Sequence, residues 1–487
     1  RSVRGGIMWS TATFVVAKAV TFVSTLVLAR LLVPSQFGVV AAVTTYLAFI
    51  ELGSDLGMKA TVVYEQERGF SERIQTAFTL NIFLVVIFTG LGVLAAPLVA
   101  GFFHISGQTY LFRLAILSLL LTGLGNIHDG LLLRELAFRR RIVPELVRGI
   151  VRGGVSIVLA AAGTGALSIV IGMLAGSASW TVCQWILTSF RPRLSFNWAI
   201  AKTMITYGVG ASLLQVITVV SQNADTATIG RILDKGALGL YSIGYRVPEL
   251  LIANVGQNVA TVAFPALSRK RVEGHESLVD ATLKLLRYQA LFALPVGAGL
   301  AVLAPPMIVV AFGNAWREAG GVMSAIAVMS AIAMVLYPLG DVFKALAKQR
   351  ILVALNLIQL PLLIGAMILA APSGILAVAW TRAGGMLLFA VLFLIQVRRT
   401  IGVGRRELVV ALRPAAICAL AVAVGGGLVR LAWPALSVGP LLAGSLAAAV
   451  CGAFALRVAS PALYGELSER ISSLTRRRSR AVAGADR

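Results

Sequence analysis

Arg148 and Arg152 stand four residues apart in the largely apolar stretch 142–162. That spacing puts both guanidinium groups on one face of a helix. Counted from residue 142 at about 1.5 Å per residue, they lie roughly 9 and 15 Å into a membrane, too deep for Arg152 to act only as an interfacial anchor. A guanidinium donates two parallel hydrogen bonds to phosphate oxygens, so a basic pair at this depth suits an anionic headgroup such as a diphosphate. Glu51 and Asp55 form a second pair, also four apart on one face, and Lys18, Arg113, Asp225, Arg246, Glu249, Asp341 and Arg382 stand in further apolar stretches. An ionisable side chain at membrane depth costs a few kcal/mol or more, so it faces a cavity, a partner or a pathway. Lys18, Arg148, Arg152, Arg246 and Arg382 are therefore candidate substrate-binding residues, and Glu51, Asp55 and Asp225 candidate ion-coupling residues. The competing reading, mutual neutralisation of acids and bases between helices, is left open by the residue pattern. Arg113 is placed to snorkel to a surface, His104, His128 and His275 fall near span ends or in loops, and Trp9, Trp180, Trp185, Trp316 and Trp433 read mostly as interface anchors. No metal-ligand cluster, catalytic nucleophile motif or phosphate-cradling glycine loop occurs, so neither a cofactor nor enzyme chemistry is expected.

The elements that hold these charges follow from composition. The chain is 58% hydrophobic and 13% charged, with a mean hydropathy of +0.88, against about half apolar and a quarter charged for a soluble domain. Apolar stretches long enough to cross a bilayer recur along almost its whole length. Fourteen spans are expected at roughly 7–30, 38–63, 74–100, 109–133, 142–162, 166–190, 203–230, 237–265, 284–312, 319–343, 350–371, 374–397, 409–431 and 434–456. "RSVRGG" runs straight into the first span, without the pattern of a cleavable leader. Cys183, Cys418 and Cys451 lie inside spans and read as small core residues.

The net charge of +23 invites a nucleic-acid reading, which the placement of the charges rejects. Of the 43 Lys and Arg, thirty-two lie at the ends and even-numbered connections and five in the odd-numbered ones. This asymmetry is the positive-inside pattern of a multi-pass membrane protein with both termini cytoplasmic. No nucleic-acid partner is expected, and the basic tail "RISSLTRRRSR" (470–480) suits anionic lipid.

The chain also repeats itself. "ARLLVPSQFG" (29–38) is echoed by "GRILDKGALG" (230–239) at an offset of 201 residues, and "AAGTGAL" (161–167) by "AAPSGIL" (370–376) at 209. The longer connection "SRKRVEGHESLVDATLK" (268–284) accommodates the difference. Spans 1–6 and 7–12 thus form two copies of a six-helix unit, giving lobes at 1–202 and 203–400, two further helices at 401–457 and a cytoplasmic tail at 458–487. An even number of spans per copy makes both enter from the same side, the arrangement of transporters that hold substrate between repeats.

"LARLLVPSQFGVVAAVTTYLAFIELGSDLGMKATVV" (28–63), "LLLRELAFRRRIVPELV" (131–147), "FPALSR" (264–269), "PVGAGLAVLAPPMIVVAFGNAWREA" (295–319) and "GDVFKALAKQRIL" (340–352) together resemble the polysaccharide-unit (Wzx-type) flippases, in their exopolysaccharide (colanic/teichuronic acid) branch. The resemblance covers residues 5–400 and implies the multidrug/oligosaccharidyl-lipid/polysaccharide exporter superfamily, in which two six-helix lobes form a V around a central cavity. The implied activity is transfer of an undecaprenyl-diphosphate-linked oligosaccharide from the inner to the outer leaflet. Implied partners are that glycan, membrane lipids and the polymerase and glycosyltransferase machinery, with the protein acting as a monomer. Lys18, twelve positions before Arg30, matches a basic residue of the related lipid II flippases. Their other charged residues around the first two spans are not matched. The alternatives are a lipid II flippase, a multidrug/cation antiporter or a membrane scaffold. An antiporter for cationic drugs favours an acidic or aromatic cavity, whereas the charges here are net basic.

Overall fold

The computed structural model describes residues 18–55, 70–135, 137–461 and 464–465, and among them there is no strand. Hydrocarbon offers the backbone no partners, so a spanning chain satisfies its N–H and C=O groups within helices. The helices are α1 (18–31), α2 (Pro34–Asp55), α3 (Phe70–Phe102), α4 (Thr109–Arg134), α5 (Phe138–Ala161), α6 (Ala166–Leu187) and α7 (Trp198–Ile232). They continue as α8 (Lys235–Glu273, with a π turn at Glu249–Ala253), α9 (His275–Phe312), α10 (Ala319–Ala345), α11 (Gln349–Ala370), α12 (Ile375–Ile401), α13 (Arg405–Ala432) and α14 (Val438–Ala459). Eleven described helices are long and apolar enough to cross a membrane. The helices α1, α5 and α7 occupy the other three expected span positions but are not among the eleven. At 38 residues α9 is about 57 Å long, well beyond the roughly 30 Å of hydrocarbon, and its surplus carries Glu276, Asp280, Lys284 and Arg287 in the first turns.

The chain divides into two compact units: residues 1–242, 312–316 and 360–378, and residues 243–311, 317–359 and 379–487. In the first unit, Ile74, Phe78, Ile127, Leu131 and Met204 form a core cluster. The link between α6 and α7 is fastened to α3, because Thr79 donates to the Ser195 carbonyl (2.9 Å) and Asn197 Nδ2 to Glu72 (2.9 Å). Asn197 then starts α7 by accepting the Ala199 N–H (3.0 Å), a side-chain cap for a helix end that lacks partners. The helices α5 and α6 run antiparallel with the Gly172 and Gly176 ridge against Arg148, Arg152 and Ser156. A Cβ on either glycine would strike the facing helix, so small residues set how close the two backbones come.

In the second unit, α10 is the most enclosed helix. Gly244 of α8 lies on Val322 and the Ala319 carbonyl, and Gly297 of α9 lies on Ala331 and the Ala327 carbonyl. The helices α13 and α14 pair through Gly425, which faces Cys451 and the Ala447 carbonyl. Arg430 near the end of α13 donates to the Val302 carbonyl of α9 (3.1 Å).

The echoed turns of the sequence are equivalent in three dimensions. Gly165 (φ 63°, ψ −136°) precedes α6 and Gly374 (φ 98°, ψ 176°) precedes α12. Both use backbone conformations that side chains rarely adopt, at matched positions of the two copies.

The first pair of turns goes further, since the turns meet within the first unit. A Cβ on Gly38 would fall on the Lys235 carbonyl and one on Gly239 would fall on the Pro34 carbonyl. Lys235 and Gly239 are the equivalents of Pro34 and Gly38 at the offset of 201 residues, so the pseudo-two-fold passes between the glycines. Around this point each copy covers the turn of the other. Phe103, at the end of α3, packs on Gly230, and His104 Nε2 lies 3.1 Å from the Arg231 carbonyl. Reciprocally, Gly313 sits under the Arg30 side chain and Trp316 Nε1 donates to the Ala29 carbonyl (2.8 Å). His104 (φ 56°) and Gly313 (φ 106°) are both in the positive-φ region, 209 residues apart.

The conformation at Gly374 predicts that Gly374→Val costs about 1–3 kcal/mol of stability. Thermal melting in detergent should fall measurably for this variant and stay unchanged for Gly365→Ala, a helical position with open space around it.

Candidate functional site

Three of the expected basic residues lie on adjoining helices of the first unit. Ser24 of α1 sits against Gly153 of α5, and both helices run from the expected inner side outward. Counting back six residues to Lys18 and five to Arg148 at about 1.5 Å each puts the two at nearly the same depth. Arg152, next to Gly153, lies about one helical turn further out. Lys18, Arg148 and Arg152 are all partly exposed, so none is sealed into a core. Arg148 rests over the Trp180 ring, 5.9 Å from its centroid, and the indole N–H donates to Glu145 (3.0 Å). The indole thus offers its negative face to the guanidinium and its positive edge to the carboxylate. Lys18, Arg148 and Arg152 thus lie within about one helical turn of one another in depth, and a guanidinium pair of this kind suits a polyphosphate.

Arg246 and Arg382 belong to the second unit. Arg382 is buried on α12, with Nε donating to Met329 Sδ (3.2 Å) and the guanidinium 5.9 Å from the Tyr245 ring. Arg246, the residue after Tyr245, is exposed and lies 3.9 Å from Glu249, the first residue of the π turn. Tyr245 therefore brings the two arginines into one neighbourhood. π turns lengthen a helix locally and often mark working positions.

The acids divide. Asp225 is buried on α7 and accepts the Tyr241 hydroxyl (2.7 Å) and the Thr226 N–H (2.8 Å). Glu51 is exposed on α2; Asp55 is the last residue of that helix and its side chain lies outside the described residues. Asp341 is buried on α10 and pairs with Lys344 (2.9 Å). Among the described residues no group of three His, Cys, Asp or Glu could hold a metal ion.

Two tryptophans and one histidine lie deeper in the protein than their types and positions suggest. Trp180 and Trp316 are buried at 3% and 0% exposure and pack inside the protein, whereas Trp433 is half exposed at a helix end. An indole N–H with an internal acceptor can be enclosed, and both residues have one. His128 is fully buried within α4, stacked on Trp185 at 4.8 Å.

Sequence reasoning missed Asp129. It is buried on α4 and takes two hydrogen bonds from Arg141 (2.7 and 3.0 Å) and one from Gln184 (3.3 Å), joining α4, α5 and α6 at the expected inner end. The signal was present: Asp129 is an acid four residues from the end of the expected span 109–133, and Arg141, twelve residues on, closes the basic run 139–141.

Residues 27–320 match the family model described as polysaccharide biosynthesis protein, which is more than half of the chain. The chain is 23% identical over 304 residues to the teichuronic acid biosynthesis protein TuaB of Bacillus subtilis (strain 168), covering 62% of each chain. It is 23% identical over 366 residues to the lipopolysaccharide biosynthesis protein WzxC of Escherichia coli (strain K12), covering 75% of this chain and 74% of that one. Its fold is that of the lipid II flippase MurJ in an inward closed conformation, with a TM-score of 0.74 at 13% identity over 94% of this chain and 99% of the other. The protein is therefore a multi-span, all-α membrane protein of the flippase fold. It belongs to the polysaccharide biosynthesis protein family.

The Asp129–Arg141 pair gives an asymmetric prediction. Arg141 keeps 37% of its side chain exposed and can turn to water, whereas Asp129 keeps 5% and cannot. Arg141→Ala should lower stability by about 2–3 kcal/mol and Asp129→Asn by less. Melting of the single and double variants in detergent should also show the double variant to be more stable than Arg141→Ala.

Proposed function

We propose that this protein moves an undecaprenyl-diphosphate-linked oligosaccharide, a cell-surface polysaccharide repeat unit, from the inner to the outer leaflet of the bacterial cytoplasmic membrane. The observation that supports the reading is the placement of Lys18, Arg148 and Arg152 on the adjoining helices α1 and α5 of a chain of the polysaccharide biosynthesis family. The diphosphate pairs with Lys18, Arg148 and Arg152, and then with Arg246 and Arg382 of the second copy. The glycan occupies the polar path and the polyprenyl tail stays in lipid. Glu51, Asp55 and Asp225 couple the cycle to an ion or to the membrane potential, which acts on a moving charge with about 2.3 kcal/mol per 100 mV. The burial of Asp225 beneath the Tyr241 hydroxyl supports a role inside the protein over one at its surface.

The working units are lobes 1–202 and 203–400, with helices at 401–457 and a tail at 458–487. The repeated turns support that division. Both termini face the cytoplasm, as the 32-to-5 distribution of basic residues favours. The protein acts as a monomeric carrier rather than an enzyme, between the glycosyltransferases that build the lipid-linked glycan and the polymerase that uses it. The biosynthetic names of its relatives support this place in the sequence of reactions.

Each charged hydrogen bond lost is worth about 1.5–3 kcal/mol, so Arg148→Ala plus Arg152→Ala should flip substrate at least about tenfold more slowly in reconstituted vesicles. Full activity in a variant that still folds would remove the headgroup role. In cells, depletion of the protein should leave lipid-linked glycan on the inner leaflet.

A further inference from the structure

The connection between α6 and α7, residues 188–197, is non-helical and is held on α3 by side chains. Its level along α3 is fixed bond by bond. Gln75 accepts the Arg193 N–H on Oε1 and donates from Nε2 to the Arg191 carbonyl (3.4 Å). Thr79, one helical turn further along α3, donates to the Ser195 carbonyl (2.9 Å). Asn197 is back near the helix start, with its N–H on Thr76 Oγ1 (3.3 Å) and its Nδ2 on Glu72 (2.9 Å). The connection therefore dips about 6 Å along α3, reaches a point five residues inside the expected span 74–100, and returns. Irregular backbone is tolerated at such a level where protein groups satisfy it, as Gln75, Thr76 and Thr79 do here. Successive side chains of an extended chain point to opposite sides. The backbone of Arg193, Ser195 and Asn197 is bonded to α3, and the alternate residues Leu194, Phe196 and Trp198 are 80%, 53% and 66% exposed. The rings of Phe196 and Trp198 lie 6.2 Å apart and extend one apolar tip. Exposed cations flank it: Arg191 and Arg193 before the dip, and Lys202 one turn into α7 on the Trp198 face.

We propose that this connection is a binding site for anionic phospholipid. Leu194, Phe196 and Trp198 enter the acyl boundary of the leaflet beside the starts of α3 and α7, and Arg193 and Lys202 hold the phosphate headgroup. Arg191 supports them from the end of α6, where it donates to the Thr188 carbonyl (2.9 Å) and the Phe190 carbonyl (3.0 Å). Three features favour a lipid occupant. The dip matches the roughly 5–10 Å by which interfacial segments sink between headgroups and acyl chains. Exposed aromatic rings beside long basic side chains are the combination that this level selects, the rings seated there and the bases reaching to the phosphates. Residues 188–202 carry three basic and no acidic side chains, so the charge of the segment selects an anionic headgroup over a zwitterionic one. The site concerns the surface of the link between the two copies and holds whatever cargo the protein carries.

The test needs no transport substrate, so its outcome is separate from that of the flipping assay. In the full chain with Cys183, Cys418 and Cys451 replaced by alanine, Leu194→Cys carries a bimane fluorophore at the exposed tip. The purified protein is placed in phosphatidylcholine vesicles that contain a small fraction of phosphatidylglycerol or phosphatidylcholine with a nitroxide on the upper acyl chain. Quenching should give phosphatidylglycerol an association constant at least about fivefold above that of phosphatidylcholine, the effect of one basic residue at the surface. Salt at about 1 M, where charges are screened within about 3 Å, should remove most of that preference. Arg193→Gln plus Lys202→Gln should bring the ratio close to one while quenching by phosphatidylcholine persists, and Arg193→Lys plus Lys202→Arg should keep the preference. Aqueous iodide reaching the fluorophore while neither lipid quenches it would place the tip in water and overturn the proposal. Equal quenching by the two lipids in the parent protein, or a preference that survives both salt and the folded glutamine variant, would overturn it too. The iodide and salt measurements decide the matter without any charge variant.

Discussion

In hydrocarbon, each peptide N–H and C=O must be satisfied along its own helix, and most of what distinguishes this chain follows from how it meets that demand. Helices leave the side chains as the only means of contact, and apolar side chains gain little by leaving lipid for one another. Close contacts therefore fall to glycine and alanine, as at Gly172 and Gly176 between α5 and α6 or Gly425 between α13 and α14. The same demand makes every charge within a helix conspicuous. Arg148 is accommodated over an indole, Arg382 between a thioether and a phenol ring, and Asp225 under a tyrosine hydroxyl.

The duplication explains how one solution serves twice. Positive-φ glycines recur before α6 and α12, and the linking turns after α3 and α9 repeat the same backbone twist with a histidine in one copy and a glycine in the other. The copies differ in their side chains. The first sets Lys18, Arg148 and Arg152 on neighbouring helices, and the second sets Arg246 and Arg382 around Tyr245 beside a π turn.

Much of the fold was legible in the sequence because membrane helices are written as long apolar runs, and because the two echoes fell on residues with tight backbone requirements. Pro34, Gly38, Lys235 and Gly239 turned out to touch one another, which no count of hydropathy could reveal but which the matched spacing anticipated as symmetry. Side-chain partners were less legible. Trp180 and Trp316 look like interfacial residues by type, and only the internal acceptors Glu145 and the Ala29 carbonyl explain their burial. Asp129 was passed over beside His128 because its partner, Arg141, belongs to a basic run that also satisfies the rule for cytoplasmic loops. Pairing across helices depends on rotation about each axis, which sequence spacing constrains weakly.

The proposed transport depends on recognition of a diphosphate by Lys18, Arg148 and Arg152. Its most direct test is translocation by the purified protein in vesicles, with a polyprenyl-diphosphate-linked oligosaccharide compared with the same glycan on an uncharged polyprenyl carrier. Externally added glycan-cleaving enzyme reports what has crossed. Headgroup recognition predicts protein-dependent transfer of the diphosphate lipid and none of the uncharged one. Equal transfer of both, or of neither, would contradict it.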